Sequence, residues 1–167
     1  MSKTRNLILA VVVTGALAFA AFAMWRAEPA APQVTFVSLK GEKITMADLR
    51  GKVVLVNFWA TDCVICVREM PQITATYNKY REQGFETIAV AMRYDPPNYV
   101  LDYAEKNKLP FRVTLDPLGE LARAFGDVKL TPTTFIIDRQ GKLVARILGE
   151  PNFAKLHALI EEKLKET

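Results

Sequence analysis

Cysteine and histidine are scarce in this sequence of 167 residues, which contains two cysteines and one histidine. A structural zinc site usually needs four such ligands, and the single histidine, His157, is far from both cysteines in sequence. Attachment of a c-type haem requires histidine directly after the second cysteine of a pair, and Val67 occupies that position. The composition therefore predicts neither a metal site nor a bound cofactor.

Clusters of lysine and arginine, which are typical of nucleic-acid-binding surfaces, are also missing. The formal charge of +4 comes largely from Lys3, Arg5 and Arg26, which lie beside an apolar stretch, and the other basic residues nearly balance the 18 acidic ones. No internal repeat and no long low-complexity tract is present. The length suits one domain, and nucleic acid is not expected as a partner.

Charge is absent altogether from residues 7–24, a run of 18 residues near the N-terminus. A helix of that length would extend about 27 Å, close to the hydrocarbon thickness of a bilayer. Lys3 and Arg5 precede the run without an acidic residue, which predicts a cytosolic N-terminus and a translocated C-terminus. We expect residues 1–25 to anchor the chain in the cytoplasmic membrane, with the rest facing the periplasm or cell exterior.

There are two alternatives to the anchor. A cleaved signal peptide, with Ala21-Phe22-Ala23 as its cleavage site, would leave a soluble periplasmic protein; a buried core helix is disfavoured because the run is apolar on all sides. No cysteine follows closely, so a lipoprotein is not expected. Residues 26–33 are expected to form a linker, because Pro29 and Pro32 disfavour helix and sheet, and residues 34–167 to form the exported domain.

Strand-like and helical patterns alternate through the exported domain. The expected strands cover residues 34–39, Val53–Trp59, 85–92, Arg112–Leu115, 133–138 and Leu143–Leu148. The expected helices cover residues 63–83, 99–107, 118–125 and Phe153–Lys165, with a helical turn at 46–49. Alternation of this kind implies a largely parallel sheet with helices on both faces, which the late β-hairpin makes mixed.

Both cysteines lie in the stretch NFWATDCVIC, directly after the strand Val53–Trp59. A disulfide between them would close almost no loop and would give little entropic stabilisation, which leaves a redox-active dithiol. Cys63 is expected at a helix N-terminus, where unpaired N–H groups and the helix dipole favour a thiolate. Cys66 follows one turn later on the same face. We expect Cys63 to attack a substrate disulfide and Cys66 to resolve the mixed disulfide.

A proline, Pro132, stands directly before the predicted strand at residues 133–138. A cis peptide bond between Thr131 and Pro132 would bring backbone beside the cysteine pair, where it could pair with substrate. A trans proline that merely begins the strand is equally compatible with the residues, so the pattern alone leaves the choice open.

The stretches VVLVNFWATDCVIC, LTPTTFIID and GKLV occur in this order, and together they resemble the thioredoxin superfamily. More narrowly, they resemble its membrane-anchored TlpA/ResA-like thiol–disulfide oxidoreductases, from about Val34 to the C-terminus. The resemblance implies a three-layer α/β/α thioredoxin-like fold with a central mixed sheet, and a cis bond at Thr131–Pro132. It also implies reduction of disulfides in exported client proteins, with apocytochrome c as one candidate, and a membrane or exported electron donor.

The sequence departs from the family pattern beside the cysteines, with Asp62 where tryptophan is common and Ile65 where proline is common. A carboxylate next to Cys63 would raise the pKa of its thiol and make the pair more reducing. Asp62 could instead be simply the N-cap of the helix, and both interpretations can hold together. Ile65 leaves the first helical turn less constrained than proline would.

A group that could move the proton of the resolving thiol is not obvious. Asn57 stands where cytosolic thioredoxins carry a buried acid, and asparagine cannot titrate. Glu69, one turn after the second cysteine, is a candidate base, although we favour an exposed helix carboxylate. Trp59 could line the site or belong to the core. His157 is expected on the surface, and Tyr94 in a loop, with substrate contact as its second interpretation.

The proposed chemistry has three rival functions. An oxidase would use the same cysteines in the opposite direction. A thiol peroxidase is disfavoured, because the sequence lacks a Pro-x-x-x-Thr-x-x-Cys site. A binding module, chaperone or metal carrier would use the fold without turnover.

Overall fold

The computed structural model of the protein describes Gly15 and residues 29–166. The proposed membrane anchor at residues 1–25 therefore lies outside the described residues except for Gly15, as does the start of the linker. In the described part of the chain, no helix is both long enough and apolar enough to cross a bilayer.

Seven strands and four α-helices make up this part of the chain. The strands are β1 (Thr35–Val37), β2 (Lys43–Thr45), β3 (Val53–Trp59), β4 (Phe85–Ala91), β5 (Arg112–Leu115), β6 (Thr133–Ile137) and β7 (Leu143–Leu148). The helices are α1 (Val64–Tyr80), α2 (Pro97–Lys106), α3 (Glu120–Ala124) and α4 (Phe153–Lys165), and a 3₁₀ turn (Arg81–Gln83) extends α1.

The main sheet has five strands in the order β5-β4-β3-β6-β7, and β1 pairs with β2 in a separate small hairpin. Strand β3 pairs in parallel with β4, which pairs in parallel with β5. Strand β6 pairs antiparallel with β3, and β7 antiparallel with β6. The mixed central sheet predicted from the alternating pattern is confirmed.

The core lies on both faces of β3 and β4, whose residues are all buried. On one face, Phe58, Phe125 and Phe135 pack with ring centroids 5.1–5.8 Å apart, under α3 and the β1–β2 hairpin. On the other face, α1, α2 and α4 cover residues such as Trp59 and Leu55. A strand buried on both faces is mostly apolar along its whole length, which is what made β3 and β4 predictable.

Several predicted boundaries move in the structure. The strand expected at residues 34–39 is limited to β1, and β2 was not predicted, because three exposed or half-buried residues carry no periodicity. Helix α2 begins at Pro97 rather than residue 99, since a proline in the first helical turn needs no N–H partner. Helix α3 is shorter than the expected residues 118–125; the buried Asp116 carboxylate accepts the N–H groups of its early residues.

The described part of the expected linker contacts the domain. Ala30 forms a bridge with Lys142 in the turn between β6 and β7. The Ala31 N–H donates to the Gly141 carbonyl at 2.9 Å, and the Leu143 N–H donates to the Pro29 carbonyl at 2.8 Å. Since Ile137, at the end of β6, pairs with Val54 at the start of β3, this contact lies at the amino end of β3.

The loops that contain the candidate site residues lie at the opposite edge of the sheet. Parallel strands place their carboxyl ends at the same edge, where α/β folds bind ligands. The loops after β3 and β4 start there, and β6 begins there because it runs antiparallel, with Thr133 opposite Phe58. The segments that contain Cys63, Tyr94 and Pro132 therefore meet at this edge.

Candidate active site

Cys63 and Cys66 form a disulfide, with their Cα atoms 5.2 Å apart. Cys63 is the N-cap of α1, with extended backbone, and its Sγ accepts a hydrogen bond from the Cys66 N–H at 3.2 Å. An N-cap side chain occupies the positive end of the helix dipole and meets its unpaired N–H groups. The position therefore favours a thiolate on Cys63 after reduction.

Asp62 does not cap the helix, so that interpretation was wrong. The N-cap position falls on Cys63, one residue later, because α1 begins at Val64. Asp62 is exposed and stands directly before the reactive sulfur. Val64 and Ile65, between the cysteines, are exposed as well, at 78% and 41%. The face around the disulfide is thus partly apolar, with one carboxylate beside it.

The two cysteines differ in accessibility. Cys63 is half-buried, whereas Cys66 is fully buried among Trp59, Met70 and Ile73. Trp59 is itself fully buried and lies 5.1 Å from the Tyr103 ring, centroid to centroid, so it is a core residue beneath the disulfide. A partner can therefore reach Cys63 more readily than Cys66.

Glu69 is fully buried, so the favoured expectation of an exposed carboxylate was wrong. Asn57 Nδ2 donates hydrogen bonds of 3.0 Å to Glu69 Oε1 and to Thr134 Oγ1. Burial raises the pKa of Glu69 to about 7; the hydrogen bond from Asn57 opposes the rise, and the Glu150 carboxylate reinforces it. A signal for this burial was present, because Glu69 follows Cys66 by three residues and precedes Met70 on the inward face of α1.

The pair Asn57–Glu69 keeps unused hydrogen-bonding capacity. Glu69 Oε2 and Asn57 Oδ1 are buried and have no hydrogen-bond partner among residues 29–166. A carboxyl with a pKa near neutrality and one free oxygen can take up and release a proton close to physiological pH. Asn57 cannot titrate, but it holds the carboxyl that can.

Thr131 and Pro132 are joined by a cis peptide bond, as the family resemblance implied. Pro132 is buried, and its carbonyl accepts the Gly149 N–H at 2.9 Å. The pairing of Thr133 with Phe58 brings Pro132 to the end of β3, where the loop to Cys63 begins. The two segments singled out in the sequence thus meet in the fold.

Asp95 belongs to the site and was not predicted. Its side chain is only 5% exposed, Oδ2 accepts the Thr61 N–H at 2.7 Å, and Oδ1 accepts the Thr61 hydroxyl. Hydrogen bonds to an ionised carboxylate are stronger than those between neutral groups. Asp95 therefore ties the loop after β4 to the loop that leads into Cys63, a contact between distant segments that local pattern does not reveal.

His157 lies away from this site, between α4 and α1. Its Nε2 is 2.8 Å from Thr76 Oγ1, and its ring packs edge-on against Tyr80. Burial lowers its pKa. The residue is half-buried, rather than a plain surface histidine. Among residues 29–166, no group of three or more histidine, cysteine or acidic residues could hold a metal ion.

A dithiol pair at the start of a helix, beside a cis-proline loop on a mixed sheet, defines a thiol–disulfide oxidoreductase with the thioredoxin fold. The comparisons agree with that class. The family model described as Redoxin matches residues 26–160. The thiol-disulfide oxidoreductase ResA of Bacillus cereus is 34% identical, over 99% of this chain and 98% of the relative.

Two solved structures are similar as well. A putative thioredoxin from Neisseria meningitidis is 36% identical with a TM-score of 0.78, over 84% of this chain and 93% of that one. A putative thiol:disulfide interchange protein DsbE from Chlorobium tepidum is 30% identical with a TM-score of 0.74, over 82% and 96%. The chain belongs to the Redoxin family and, within the thioredoxin superfamily, groups with the ResA-like protein-disulfide oxidoreductases.

Proposed function

We propose that this protein reduces disulfides of exported proteins, with Cys63 as the attacking sulfur and Cys66 as the resolving one. The observation that carries the proposal is the asymmetry of the pair. Cys63 is half-buried at the helix N-terminus, and Cys66 is buried behind it and donates its N–H to the Cys63 sulfur. A thiolate at that position is both stabilised and accessible.

The cycle begins with the reduced protein. The Cys63 thiolate attacks one sulfur of the client disulfide, a Cys63–client disulfide forms, and the client's other sulfur leaves as a thiolate. Cys66 then loses its proton and attacks the Cys63 sulfur, which releases the second client thiolate. The client has gained two electrons, and the protein is left as the disulfide. A membrane or exported dithiol donor returns two electrons to the pair.

Glu69 is the group proposed to accept the proton of Cys66. It lies three residues after Cys66 on α1, it is buried, and its raised pKa of about 7 suits a base that works near neutral pH. Asn57 orients the carboxyl through its hydrogen bond to Oε1. This arrangement replaces the titratable strand residue that Asn57 does not provide.

Asp62 is proposed to bias the pair toward reduction of clients. Its exposed carboxylate precedes Cys63, and a negative charge there disfavours the thiolate. A less stable reduced form gives up its electrons more readily. Thr131 and Pro132 are proposed to contact the client backbone.

Residues 1–25 are proposed to anchor the protein in the cytoplasmic membrane, with the domain outside the cytosol. The uncharged run at residues 7–24 and the preceding Lys3 and Arg5 support this placement. Apocytochrome c is one candidate client in that compartment; a cleaved, soluble periplasmic form is the alternative.

Replacing the resolving cysteine tests the function directly. The Cys66→Ala protein should accumulate mixed disulfides with clients, because the second step is blocked, and mass spectrometry of these adducts would identify the clients. The Cys63→Ala protein is the matched control and should trap far less, since its remaining thiol is buried. A Cys66→Ala protein that forms no covalent adduct but still binds partners would instead support a binding module.

A further inference from the structure

A cleft of about 350 Å³ opens at the active-site edge, between the loop after β4 and the segments on either side of α3. We call it the cationic cleft. Buried Met92, Ala122 and Val128 line its floor, and Arg93, Arg123 and Lys129 stand at its rim. The site described above uses none of these side chains.

Two of the cations, Arg93 and Arg123, lie side by side, and no acidic residue of the described chain pairs with either. A Cβ placed on Gly119 would be 3.3 Å from Arg93 Cδ and 3.5 Å from Arg123 Nη1, so both side chains pass over this glycine. Arg123 donates to the Leu118 carbonyl at 2.9 Å. Arg93 makes no hydrogen bond or ion pair within residues 29–166. Two adjacent guanidinium groups without a carboxylate favour an incoming anion.

The third cation is partly neutralised. Lys129 pairs with Asp127 at 3.0 Å, and both side chains are largely exposed. Exposed pairs of this kind are weak, so Lys129 can exchange Asp127 for another carboxylate. The cleft keeps an excess of positive charge over its single acidic side chain.

The cleft adjoins the path of a client across the disulfide. Tyr94, at its rim, lies with its hydroxyl 3.3 Å from Thr131 Oγ1, beside the cis-proline bond. Lys129 and Leu130 lead directly into that bond, and Leu130 is 61% exposed. A peptide that contacts Pro132 while its cysteine meets Cys63 can extend over Tyr94 toward the arginines.

We propose that the cationic cleft binds an acidic side chain of the client, so that the enzyme prefers disulfides flanked by Asp or Glu. Guanidinium groups bind carboxylates through paired hydrogen bonds, and the apolar floor suits the methylene groups of Glu. The inference rests on the proposed function and names a substrate class for it. The exchange itself is unchanged: the peptide gains two electrons and two protons, which the Cys63–Cys66 dithiol loses.

The test uses the full-length reduced protein and three peptides, each with one internal disulfide and identical except for Glu, Gln or Lys at the flanking positions. Acid quenching and chromatography give the second-order rate constant of each reduction. We expect the Glu peptide to react about fivefold faster than the Gln peptide at low salt, and the Lys peptide to be slowest. High salt should abolish the preference, because exposed charges are screened.

Two double variants test whether the preference for the Glu peptide depends on the cationic cleft. The Arg93→Ala/Arg123→Ala protein should lower the Glu-to-Gln rate ratio to about one, and the ratio cancels any general change in thiol reactivity. The matched control is Arg50→Ala/Arg81→Ala, which removes the same charge at the amino edge of the sheet and should keep the preference. Equal rates for the Glu and Gln peptides, or a ratio that survives the loss of Arg93 and Arg123, would overturn the inference. If the reduced wild-type protein failed to reduce even the neutral 2-hydroxyethyl disulfide, the proposed function would be overturned instead.

Discussion

Two buried carboxylates flank the disulfide, and they are held in opposite ways. Asp95 accepts hydrogen bonds on both oxygens from Thr61, in the loop that leads to Cys63. Glu69 receives one hydrogen bond from Asn57, and its Oε2 has no partner in the part of the chain that the structure describes. Hydrogen bonds to both oxygens hold the Asp95 carboxylate against Thr61, whereas burial raises the pKa of Glu69 to about 7, so its carboxyl can exchange a proton near neutral pH. Asp95 therefore holds two loops together, whereas Glu69 suits the proton transfer proposed for it.

The largest difference between Glu69 and Asp95 should appear in the rate of turnover. Glu69→Gln keeps the size of the side chain and an acceptor for Asn57 but cannot take a proton. We expect the resolving step to slow by about 1,000-fold at pH 7. Single-turnover release of client thiol from a preformed mixed disulfide measures this step. Formation of the mixed disulfide, followed in a Cys66→Ala background, should change little; if both steps slowed equally, Glu69 would not be the base.

The second difference concerns stability and pH. With a folded pKa of about 7 against the ordinary 4.5, Glu69 holds a proton in the folded protein that the unfolded chain has released. The free energy of unfolding of the oxidised protein should therefore fall as pH rises through this window, by about 3 kcal/mol in total. Glu69→Gln should remove that slope, and subtracting the two urea-unfolding series cancels other titrations. Parallel series would show that Glu69 ionises normally in the fold.

Because Asp95 holds two loops together, its replacement should cause a smaller loss of stability, measured as the free energy of unfolding at constant pH. Asp95→Ala leaves the Thr61 N–H and hydroxyl without their acceptor and should lower the free energy of unfolding by about 2 kcal/mol. Asp95→Asn retains one acceptor oxygen and should lose about half as much. Asp102→Ala, at an exposed carboxylate paired with Lys106, is the control and should have little effect. If Asp95→Ala lowered the free energy of unfolding as little as Asp102→Ala does, the hydrogen bonds of Asp95 would not stabilise the fold.

The smallest effect is expected at Asp62, whose carboxylate is exposed, unlike the buried carboxylates of Asp95 and Glu69. Asp62→Asn removes a negative charge beside Cys63 and should make the pair less reducing. Because the charge is solvated, the reduction potential should rise by only about 10 mV. Equilibration with a glutathione or dithiothreitol buffer measures the change, and Glu82→Gln, at the far edge of the sheet, serves as the matched control. A fall in potential would contradict the proposed bias.

Much of the fold could be predicted because its pattern is local. Strands β3 and β4 are mostly apolar runs, and α4 begins after Asn152, whose side chain accepts the Lys155 N–H as a capping residue should. Strand β2 could not be predicted, since three half-exposed residues become a strand only by pairing with β1.

The site was predictable to a different degree. The spacing of Cys63 and Cys66 and their position between a strand and a helix predicted a redox-active pair, whereas the cis bond at Pro132 came from resemblance and not from the residues. Glu69 lay on a recognisable inward face but was misjudged, because most carboxylates are exposed. Asp95 depends on the approach of two loops separated by more than thirty residues, as its hydrogen bond to Thr61 spans 34 positions.

The contact of Pro29 and Ala31 with the turn after β6 fixes where the polypeptide enters the domain. That point lies at the start of β3, and the reactive sulfurs lie beyond its end, a separation of about 20 Å along seven residues of strand. A tether at residues 1–25 would thus reach the domain on the side opposite the reactive sulfurs. A large client and the bilayer would then not compete for the same side of the enzyme.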